Sequence, residues 1–408
     1  MSVTATLQTA RGQRAFTTLS LCFLTAMIEG IDLQSMGIAA PALGPEFHLT
    51  RQHLGLVVAA SPLGLLFGAF IGGRIADLHG RKLALLLSMS VFGAVQLATA
   101  WATGFESLIL LRLLCGVGLG GAMPNLIALT AEASGGRNNI LNVVITIAGM
   151  PVGGTLASLI GFLGGTQGDW RMVFYVGGIA PLLLAPVIAL ALPESALFRA
   201  AQSGVGSRRE PILEVLFGGS RAAATLLLWV SYFFTAFMVY LLLNWLPVLM
   251  GARGFSKTDA LIIQILFNVG AAVGSVLLGW RMQRRPSRVL LFACYAGLAV
   301  SLILIAQIGK DLPLAAAAAA LVGTFLLGAQ YILYGLAPDY YAIAIRGTGT
   351  GAAVAAGRLG STMGPYLGGV LLGGGASDAH VLEALLPVTA VAAAAAIALL
   401  FLRPRLSE

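Results

Sequence analysis

Twelve stretches of apolar residues, each long enough to cross a lipid bilayer, constrain this chain more than any other feature. A helix needs about 20 apolar residues to span the hydrocarbon core. Of the 408 residues, 58% are hydrophobic and 10% are charged, whereas about 25% of the residues of a soluble domain are charged. We therefore predict an all-α polytopic membrane protein with twelve transmembrane helices. The predicted spans are 17–40, 53–76, 83–103, 106–131, 140–164, 171–192, 222–250, 259–280, 288–309, 313–338, 348–373 and 383–402.

A polar segment near the middle of the chain divides the spans into two sets of six. It holds several arginines and glutamates and no apolar run of membrane length. We predict an N-terminal six-helix bundle at 1–196, a cytoplasmic linker at 197–220 and a C-terminal six-helix bundle at 221–408.

Two short motifs recur at corresponding places in the two sets. The loop 73–82 follows the second span and a similar loop, 279–288, follows the eighth. Pro151-Val-Gly-Gly in the fifth span has a counterpart in Pro365-Tyr-Leu-Gly-Gly in the eleventh. A parallel repeat of this kind predicts pseudo-two-fold symmetry between the bundles, with a binding site between them near the membrane midplane.

The distribution of positive charge predicts the orientation in the membrane. Seventeen Lys and Arg residues fall before the first span, in alternate loops and after the last span, and five fall on the other side. Loops rich in Lys and Arg stay in the cytoplasm, so both termini are expected there. The net charge of +8 is explained by this placement, and without aromatic residues on the basic loops we expect no nucleic-acid partner.

Neither a cofactor nor a metal is expected. The three cysteines lie in apolar stretches and the four histidines stand singly, without metal-ligand spacing. Gly116 to Gly121 fits the pattern G-x-G-x-x-G, but a dinucleotide fingerprint follows a strand and this one lies inside an apolar run. We see no nucleophile and base pair either, so the sequence does not indicate an enzyme.

Two carboxylates in the first span carry the strongest functional signal. Glu29 and Asp32 are three residues apart and so share a helical face. A charge at the bilayer centre costs at least about 2.5 to 3.5 kcal/mol and is normally retained for function. Two close carboxylates cannot both stay ionised easily in this medium, so they are candidate proton carriers. The alternative is that both acids only pair with Arg112 or Arg358.

Arg358 lies inside the eleventh predicted span, in a run rich in glycine. A guanidinium stays charged at physiological pH and offers a planar fork that matches a carboxylate. We predict that Arg358 binds the carboxylate of a substrate. The alternative, a permanent partner for Asp32 or Glu29, stays open.

Aromatic and amide side chains gather in the seventh and tenth spans. With Asn125 of the fourth span, they are predicted to form a pocket with apolar walls and few hydrogen-bonding groups. Each one could instead face lipid, the core or the interfacial belt. The predicted substrate residues beside Arg358 are Tyr232, Tyr240, Asn244, Gln330, Tyr331, Tyr334 and Asn125.

The loop after the second span reads Gly73-x-x-x-Asp77-x-x-Gly80-Arg81-Lys82. It resembles the signature loop of the major facilitator superfamily, G-x-x-x-D-x-x-G-R-[RK]. The glycines permit close helix approach, and Asp77 can pair with a cation or cap a helix N-terminus. We expect a gating element here. A basic loop that only sets the orientation would explain the two cations but not the glycines or the acid.

Two acid and arginine pairs are predicted at equivalent places in the two halves. Glu132 with Arg137 and Asp339 with Arg346 could hold a gate in one of two states. Exposed pairs contribute about 0 to 1 kcal/mol, so their role would be to bias two conformations rather than to stabilise the fold.

The chain resembles the aromatic acid:proton symporter branch of that superfamily from about residue 16 to residue 402. Glu29 stands where many members have aspartate. The matching positions are Glu29, Asp32, Arg112, Pro124-Asn125, Glu132 and the segment around Arg358.

The resemblance implies proton-coupled uptake of a small aromatic carboxylate, such as a hydroxyphenylpropionate, by alternating access. It implies a monomer in a bacterial cytoplasmic membrane whose partners are the substrate, protons and lipid. A proton-driven exporter or an anion exchanger of organic acids remains an alternative, because Gly149 to Gly154 partly resembles an antiporter motif.

Overall fold

The computed structural model describes most of the chain. The described residues are 3–134, 139–163, 169–195, 198, 212–218, 221–284, 288–341, 346–375 and 377–402. They are almost entirely α-helical, as the sequence predicted, and contain no β-strand. A bilayer favours this architecture because a helix satisfies its own backbone hydrogen bonds where no water can do so.

Most of the described helices follow one another with short connections. Their bounds are α1 (Val3–Glu46), α2 (Arg51–His79), α3 (Arg81–Thr99), α4 (Phe105–Gly120), α5 (Ala122–Ala133), α6 (Asn139–Ile147), α7 (Gly149–Leu163), α8 (Arg171–Ala191), α9 (Ile212–Phe217), α10 (Ala222–Ala252), α11 (Lys257–Arg284), α12 (Arg288–Gln307), α13 (Leu312–Leu336), α14 (Arg346–Gly373), α15 (Asp378–Glu383) and α16 (Leu385–Phe401). A 3₁₀ turn, Ala337–Tyr340, follows α13.

In the described part of the chain, eleven helical segments are long and apolar enough to cross a membrane. Three of these segments each consist of two consecutive helices, namely α4 with α5, α6 with α7 and α15 with α16. The remaining predicted span, 348–373, is the helix α14. Its 28 residues extend about 42 Å, which is ample for a crossing, but its glycines and Arg358 make it less apolar than the others.

Local signals explain several helix ends. Thr50 caps α2 by accepting a hydrogen bond from the backbone N–H of His53 at 3.1 Å. Asp311 caps α13 in the same way through Leu314, at 3.0 Å. Gly80 separates α2 from α3 at a φ of 104°, a backbone conformation that glycine adopts without the steric cost of a Cβ.

The two halves repeat the same helix pairs. In the first half α1 packs on α7 and α2 packs on α4; in the second half α10 packs on α14 and α11 packs on α13. Glycine residues lie at equivalent helix contacts in both halves. A Cβ on Gly64 would lie 2.1 Å from the carbonyl oxygen of Leu113, and one on Gly270 would lie 2.0 Å from that of Ala320. The predicted pseudo-two-fold relationship is therefore seen in the packing.

Among the described helices, the main pairs that join the halves are α2 with α14, α7 with α11, α1 with α10, and α6 with α11. The predicted linker, 197–220, falls mostly outside the described residues, and α9 lies within it. Below, the "termini end" is the end of the molecule with the connection between α2 and α3. The "far end" is the opposite one, with the connections from α1 to α2 and from α10 to α11.

Candidate substrate and proton site

Helix α1 carries both predicted acids into the interior. The side chains of Glu29 and Asp32 are fully buried, with 0% exposure. Being three residues apart, they lie on one face of α1 but contact different halves of the molecule. Their partners differ in number and in distance, and this difference defines the site.

Asp32 belongs to a tight ion pair inside the first half. Nη1 of Arg112 donates to Oδ1 of Asp32 at 2.7 Å and to Oε1 of Gln96 at 2.8 Å. The hydroxyl of Ser61 lies 3.4 Å from the second carboxylate oxygen of Asp32. Arg112 is 2% exposed. A buried charge pair of this kind depends on both partners, since an unpaired buried charge is very costly.

Glu29 has a looser partner in the second half. Nη2 of Arg358 lies 3.8 Å from Oε1 of Glu29, too far for a good hydrogen bond. Within the described part of the chain, neither carboxylate oxygen of Glu29 has a hydrogen-bond partner. Nη1 of Arg358 donates instead to the hydroxyl of Tyr240, at 2.9 Å. A guanidinium has five N–H donors, so Arg358 can bind a further acceptor.

A small central cavity lies between the halves at Arg358. Its volume is about 60 Å³, below the roughly 150 Å³ of an engineered cavity that binds benzene. A molecule with an aromatic ring would fit only if the surrounding helices or side chains moved apart. Five of the predicted substrate residues line the cavity: Arg358, Tyr240, Gln330, Tyr331 and Tyr334.

Aromatic rings form one wall of this cavity. The rings of Tyr331 and Tyr334 are stacked, with centroids 6.3 Å apart and planes inclined by 25°. Tyr334 also packs edge-on against Tyr232 at 5.4 Å. The hydroxyl of Tyr232 donates to the carbonyl oxygen of Leu333 at 3.0 Å, so Tyr232 supports the wall from behind.

Two other predicted substrate residues lie near the cavity without lining it. Asn244 donates from Nδ2 to the carbonyl oxygen of Tyr240 in its own helix, at 3.0 Å. Asn125 donates to the carbonyl oxygen of Gly121 at 2.7 Å, where α4 gives way to α5. Both side chains are 4% exposed. In this conformation their amides satisfy backbone carbonyls.

A cluster of three buried amides joins the halves beside the cavity, and the sequence reasoning missed it. The amide of Gln34 on α1 exchanges hydrogen bonds with that of Asn268 on α11, at 2.7 and 2.8 Å. Gln264 donates to the same oxygen of Gln34 at 2.8 Å. We name these residues the amide cluster. A signal was available, since Gln264 and Asn268 share a helical face within an apolar span, where polar groups are rare.

The predicted gating motif lies at the termini end. The backbone N–H groups of Arg81 and Lys82 donate to Oε1 of Glu194, at 2.9 and 3.2 Å. Glu194 thus places its negative charge at the N-terminus of α3, which the helix dipole favours. Gly80 leaves room for it, because a Cβ there would lie 2.3 Å from Oε2 of Glu194. This capping acid was not recognised in the sequence.

Among the described residues, the other motif residues show no partner across the halves. Asp77 is exposed, and a Cβ on Gly73 would meet no atom within 4 Å. Arg81 forms an ion pair with Glu132, and the hydroxyl of Ser195 also donates to Glu132, at 2.8 Å. The predicted partner of Glu132, Arg137, lies outside the described residues, and so do the side chains of Asp339 and Arg346.

Among the described residues, no group of three or more His, Cys, Asp or Glu side chains stands close enough to hold a metal ion. The three cysteines are buried free thiols.

Comparisons with known proteins agree with this architecture. A family model described as Major Facilitator Superfamily matches residues 22–365 and 228–408. The 3-(3-hydroxy-phenyl)propionate transporter of Escherichia coli is 42% identical, with 96% of each chain covered. The 4-hydroxybenzoate transporter PcaK of Pseudomonas aeruginosa is 36% identical over 92% of this chain and 90% of its own.

Among solved structures, that of a D-xylose-proton symporter has a TM-score of 0.76. It covers 94% of this chain and 97% of its own at 18% identity. At that identity the likeness concerns the fold alone.

Proposed function

Because the chain belongs to the Major Facilitator Superfamily and is a membrane transporter rather than an enzyme, we propose that it carries small aromatic carboxylates together with protons. A substrate such as 3-(3-hydroxyphenyl)propionate would enter the cell across the bacterial cytoplasmic membrane. Relatives named for 3-(3-hydroxy-phenyl)propionate, 4-hydroxybenzoate and gallate support this substrate class.

One observation carries the proposal: the guanidinium of Arg358 lines a cavity between the halves with only a loosely placed counter-charge. The fork of Arg358 matches a carboxylate. The rings of Tyr240, Tyr331 and Tyr334 would contact the aromatic ring of the substrate, and the Gln330 amide could bind a ring hydroxyl.

Proton coupling follows from competition for Arg358. When Glu29 is ionised, its charge attracts the guanidinium; a proton on Glu29 removes that attraction and leaves Arg358 to the carboxylate of the substrate. Glu29 suits this role because its oxygens have no hydrogen bonds in the described structure. Asp32, held at 2.7 Å by Arg112, suits a structural role better, and its predicted role in proton transfer stays a prediction.

Alternating access would use the two halves as rocking units around this site. We propose the limits 1–196 and 221–408 for them, with the termini end in the cytoplasm according to its Lys and Arg content. The motif with Arg81 and Lys82 would then lie at the cytoplasmic face, where Arg81 and Glu132 form an ion pair within the first half.

Uptake into proteoliposomes tests the proposal. We expect labelled 3-(3-hydroxyphenyl)propionate to accumulate when an inward proton gradient is imposed, and to be lost when a protonophore is added. Benzoates and cinnamates should compete according to their fit. Accumulation driven only by an outward proton gradient or by a counter-anion would identify the alternative, an exporter or an exchanger.

The Arg358→Ala variant tests the binding assignment. Charged hydrogen bonds contribute about 1.5 to 3 kcal/mol each, so the loss of a two-point contact should reduce uptake by about 100-fold or more. Arg358→Lys retains the charge without the planar fork and should recover uptake only in part. Normal uptake by the alanine variant would remove Arg358 from the substrate site.

A further inference from the structure

A second, larger cavity opens at the far end, between the two halves. Its volume is about 610 Å³, within the roughly 300 to 1,000 Å³ of small-molecule sites. Residues from the end of α1 and the start of α2 line one side, and residues from the end of α10 and the start of α11 line the other. Exposed rim residues such as Pro41, Arg51 and Gly251 connect it to the surface. We name this cavity the vestibule.

The vestibule and the central cavity lie end to end along α1 and α10. On α1, Gly30 and Gln34 line the central cavity, whereas Ile38 and Pro41 line the vestibule. Glu29 and Pro41 are separated by about 18 Å along the helix. A molecule in the vestibule would therefore lie on the axis that leads to Arg358, but it would not contact Arg358.

A constriction divides the two cavities. At Gly37 the helices touch so closely that a Cβ would lie 2.5 Å from the carbonyl oxygen of Asn244. One turn away, the amide cluster ties Gln34 to Asn268. The vestibule is thus a closed-ended chamber in this conformation and not an arm of the central cavity.

The walls of the vestibule suit an aromatic ring. Pro41, Pro247 and Leu261 are apolar lining residues. The lining residue Trp245 is 1% exposed and is held in place by a hydrogen bond from Nε1 to the carbonyl oxygen of Pro365, at 2.9 Å. Burying a ring against such a surface contributes about 25 cal/mol of favourable free energy for each Å² of apolar area removed from water.

The charged side chains that line the vestibule are basic. Arg51, Lys257 and the ring of His48 line it, and none of its lining residues in the described structure is an aspartate or a glutamate. Arg51 and Lys257 are also the first residues of α2 and α11, so the positive ends of two long helix dipoles add to the potential there.

Acids near the vestibule have partners of their own in the described structure, one of them being Arg51. Glu46 accepts hydrogen bonds from Arg171, at 2.8 Å, and from Trp170. Asp259 accepts from the hydroxyl of Ser256 at 2.7 Å. Asp378 lies 3.9 Å from Arg51, a distance that leaves the guanidinium donors available to a closer acceptor.

We propose that the vestibule is a second binding site for the transported aromatic carboxylate, which loads there before it passes to Arg358. The identity of the occupant rests on the proposed function; the cavity, its apolar walls and its cations do not. A positive cavity with low-dielectric walls concentrates an anion near the constriction. One chain can then hold a substrate molecule in the vestibule while the central site is too small to accept one.

Equilibrium binding of labelled 3-phenylpropionate to the purified full-length chain tests this proposal. Arg358→Ala removes the central contact, and we expect it to retain one probe molecule per chain, bound less tightly as salt is added. Lys257→Gln in that background should weaken the residual binding by about threefold, as expected for one partly exposed charge.

Gly251→Trp introduces a large ring at the rim of the vestibule, because Gly251 lines the cavity and a Cβ there meets no atom within 4 Å. In the Arg358→Ala background it should lower the residual binding by about tenfold or more through loss of cavity volume. Gly309→Trp is the matched control: Gly309 is also an exposed far-end glycine whose Cβ would meet nothing within 4 Å, and it does not line the vestibule.

Three results would overturn the second site. They are no probe binding by Arg358→Ala when the wild type binds, unchanged residual binding after Gly251→Trp, and equal competition by neutral 3-phenylpropanamide, which would reveal an apolar pocket open to lipid or detergent. Should Arg358→Ala fail to fold, Gly251→Trp alone should raise the KM for uptake without changing kcat, and an unchanged KM would contradict the proposal. A failure of the proposed function looks different, because the wild type itself would then show no proton-driven uptake of the aromatic acid.

Discussion

Two buried acids of α1, Asp32 and Glu29, each pair with an arginine of another helix, but the two pairs differ in distance and in further partners. Asp32 and Arg112 meet at 2.7 Å inside the first half, with Gln96 and Ser61 as further partners. Glu29 and Arg358 meet at 3.8 Å across the two halves, and Glu29 has no hydrogen bond in the described structure.

This difference separates a structural pair from an exchangeable one. A buried pair with additional hydrogen bonds is costly to open, because either partner alone would be an uncompensated charge. A loose pair across a moving interface can instead be opened by one proton or by one competing carboxylate. Position relative to the interface between the halves, rather than residue type, therefore distinguishes the two acids.

The largest expected effect comes from breaking the tight pair. Arg112→Ala leaves Asp32 buried without a counter-charge, which should lower the free energy of unfolding by about 3 to 5 kcal/mol. Thermal unfolding of the detergent-purified protein measures this loss of stability. The matched control is Arg358→Ala, whose partner Glu29 can take up a proton, and we expect it to melt close to the wild type. Equal losses in the two variants would contradict the distinction.

Breaking the loose pair should alter coupling rather than stability. In the wild type, affinity for the aromatic acid should fall as pH rises, because ionised Glu29 competes for Arg358. Glu29→Gln should make this affinity independent of pH and abolish gradient-driven accumulation, while exchange continues. One pH unit supplies about 1.4 kcal/mol, or a tenfold accumulation for each coupled proton.

Uptake into proteoliposomes at several external pH values measures this second effect. Accumulation by Glu29→Gln that still follows the proton gradient would exclude Glu29 as the essential carrier and would return the role to Asp32.

The smallest expected effect concerns the orientation of Arg358. Tyr240→Phe removes the hydroxyl that receives Nη1 of Arg358 at 2.9 Å, a hydrogen bond worth about 1 kcal/mol. The KM for the aromatic acid should rise about fivefold. Tyr295→Phe is the control, since the Tyr295 hydroxyl is also buried and bonded, to Thr235 at 2.9 Å, but does not line the central cavity. A similar rise in KM for both variants would show a general packing effect.

Much of the fold could be predicted from the sequence. Charged residues are too costly inside a bilayer, so their spacing marks the crossings directly. The same penalty singles out Glu29, Asp32, Arg112 and Arg358, because each of them interrupts an apolar run of membrane length. Even α14, less apolar than the other spans, was predicted as an apolar run of membrane length, 348–373.

Which side chains these buried residues contact could not be predicted from the sequence in the same way. The sequence left open whether each acid faces Arg112, Arg358 or neither, because the residues involved come from helices far apart in the chain. The pairing within the amide cluster could not be predicted for the same reason: Gln34 and Asn268 are 234 positions apart, and nothing local indicates that they meet. Asn125 and Asn244 were assigned to the substrate by type, yet their amides satisfy backbone carbonyls of their own spans.

The chain by itself determined which segments cross the membrane and which side chains bear a charge there, since both depend on the free energy of transferring single residues out of water. Only the tertiary structure decided that Asp32 is held within one half while Glu29 faces the other across the interface. That choice depends on how glycine-mediated helix contacts set the rotation and depth of each helix, and such contacts join residues that are distant in sequence.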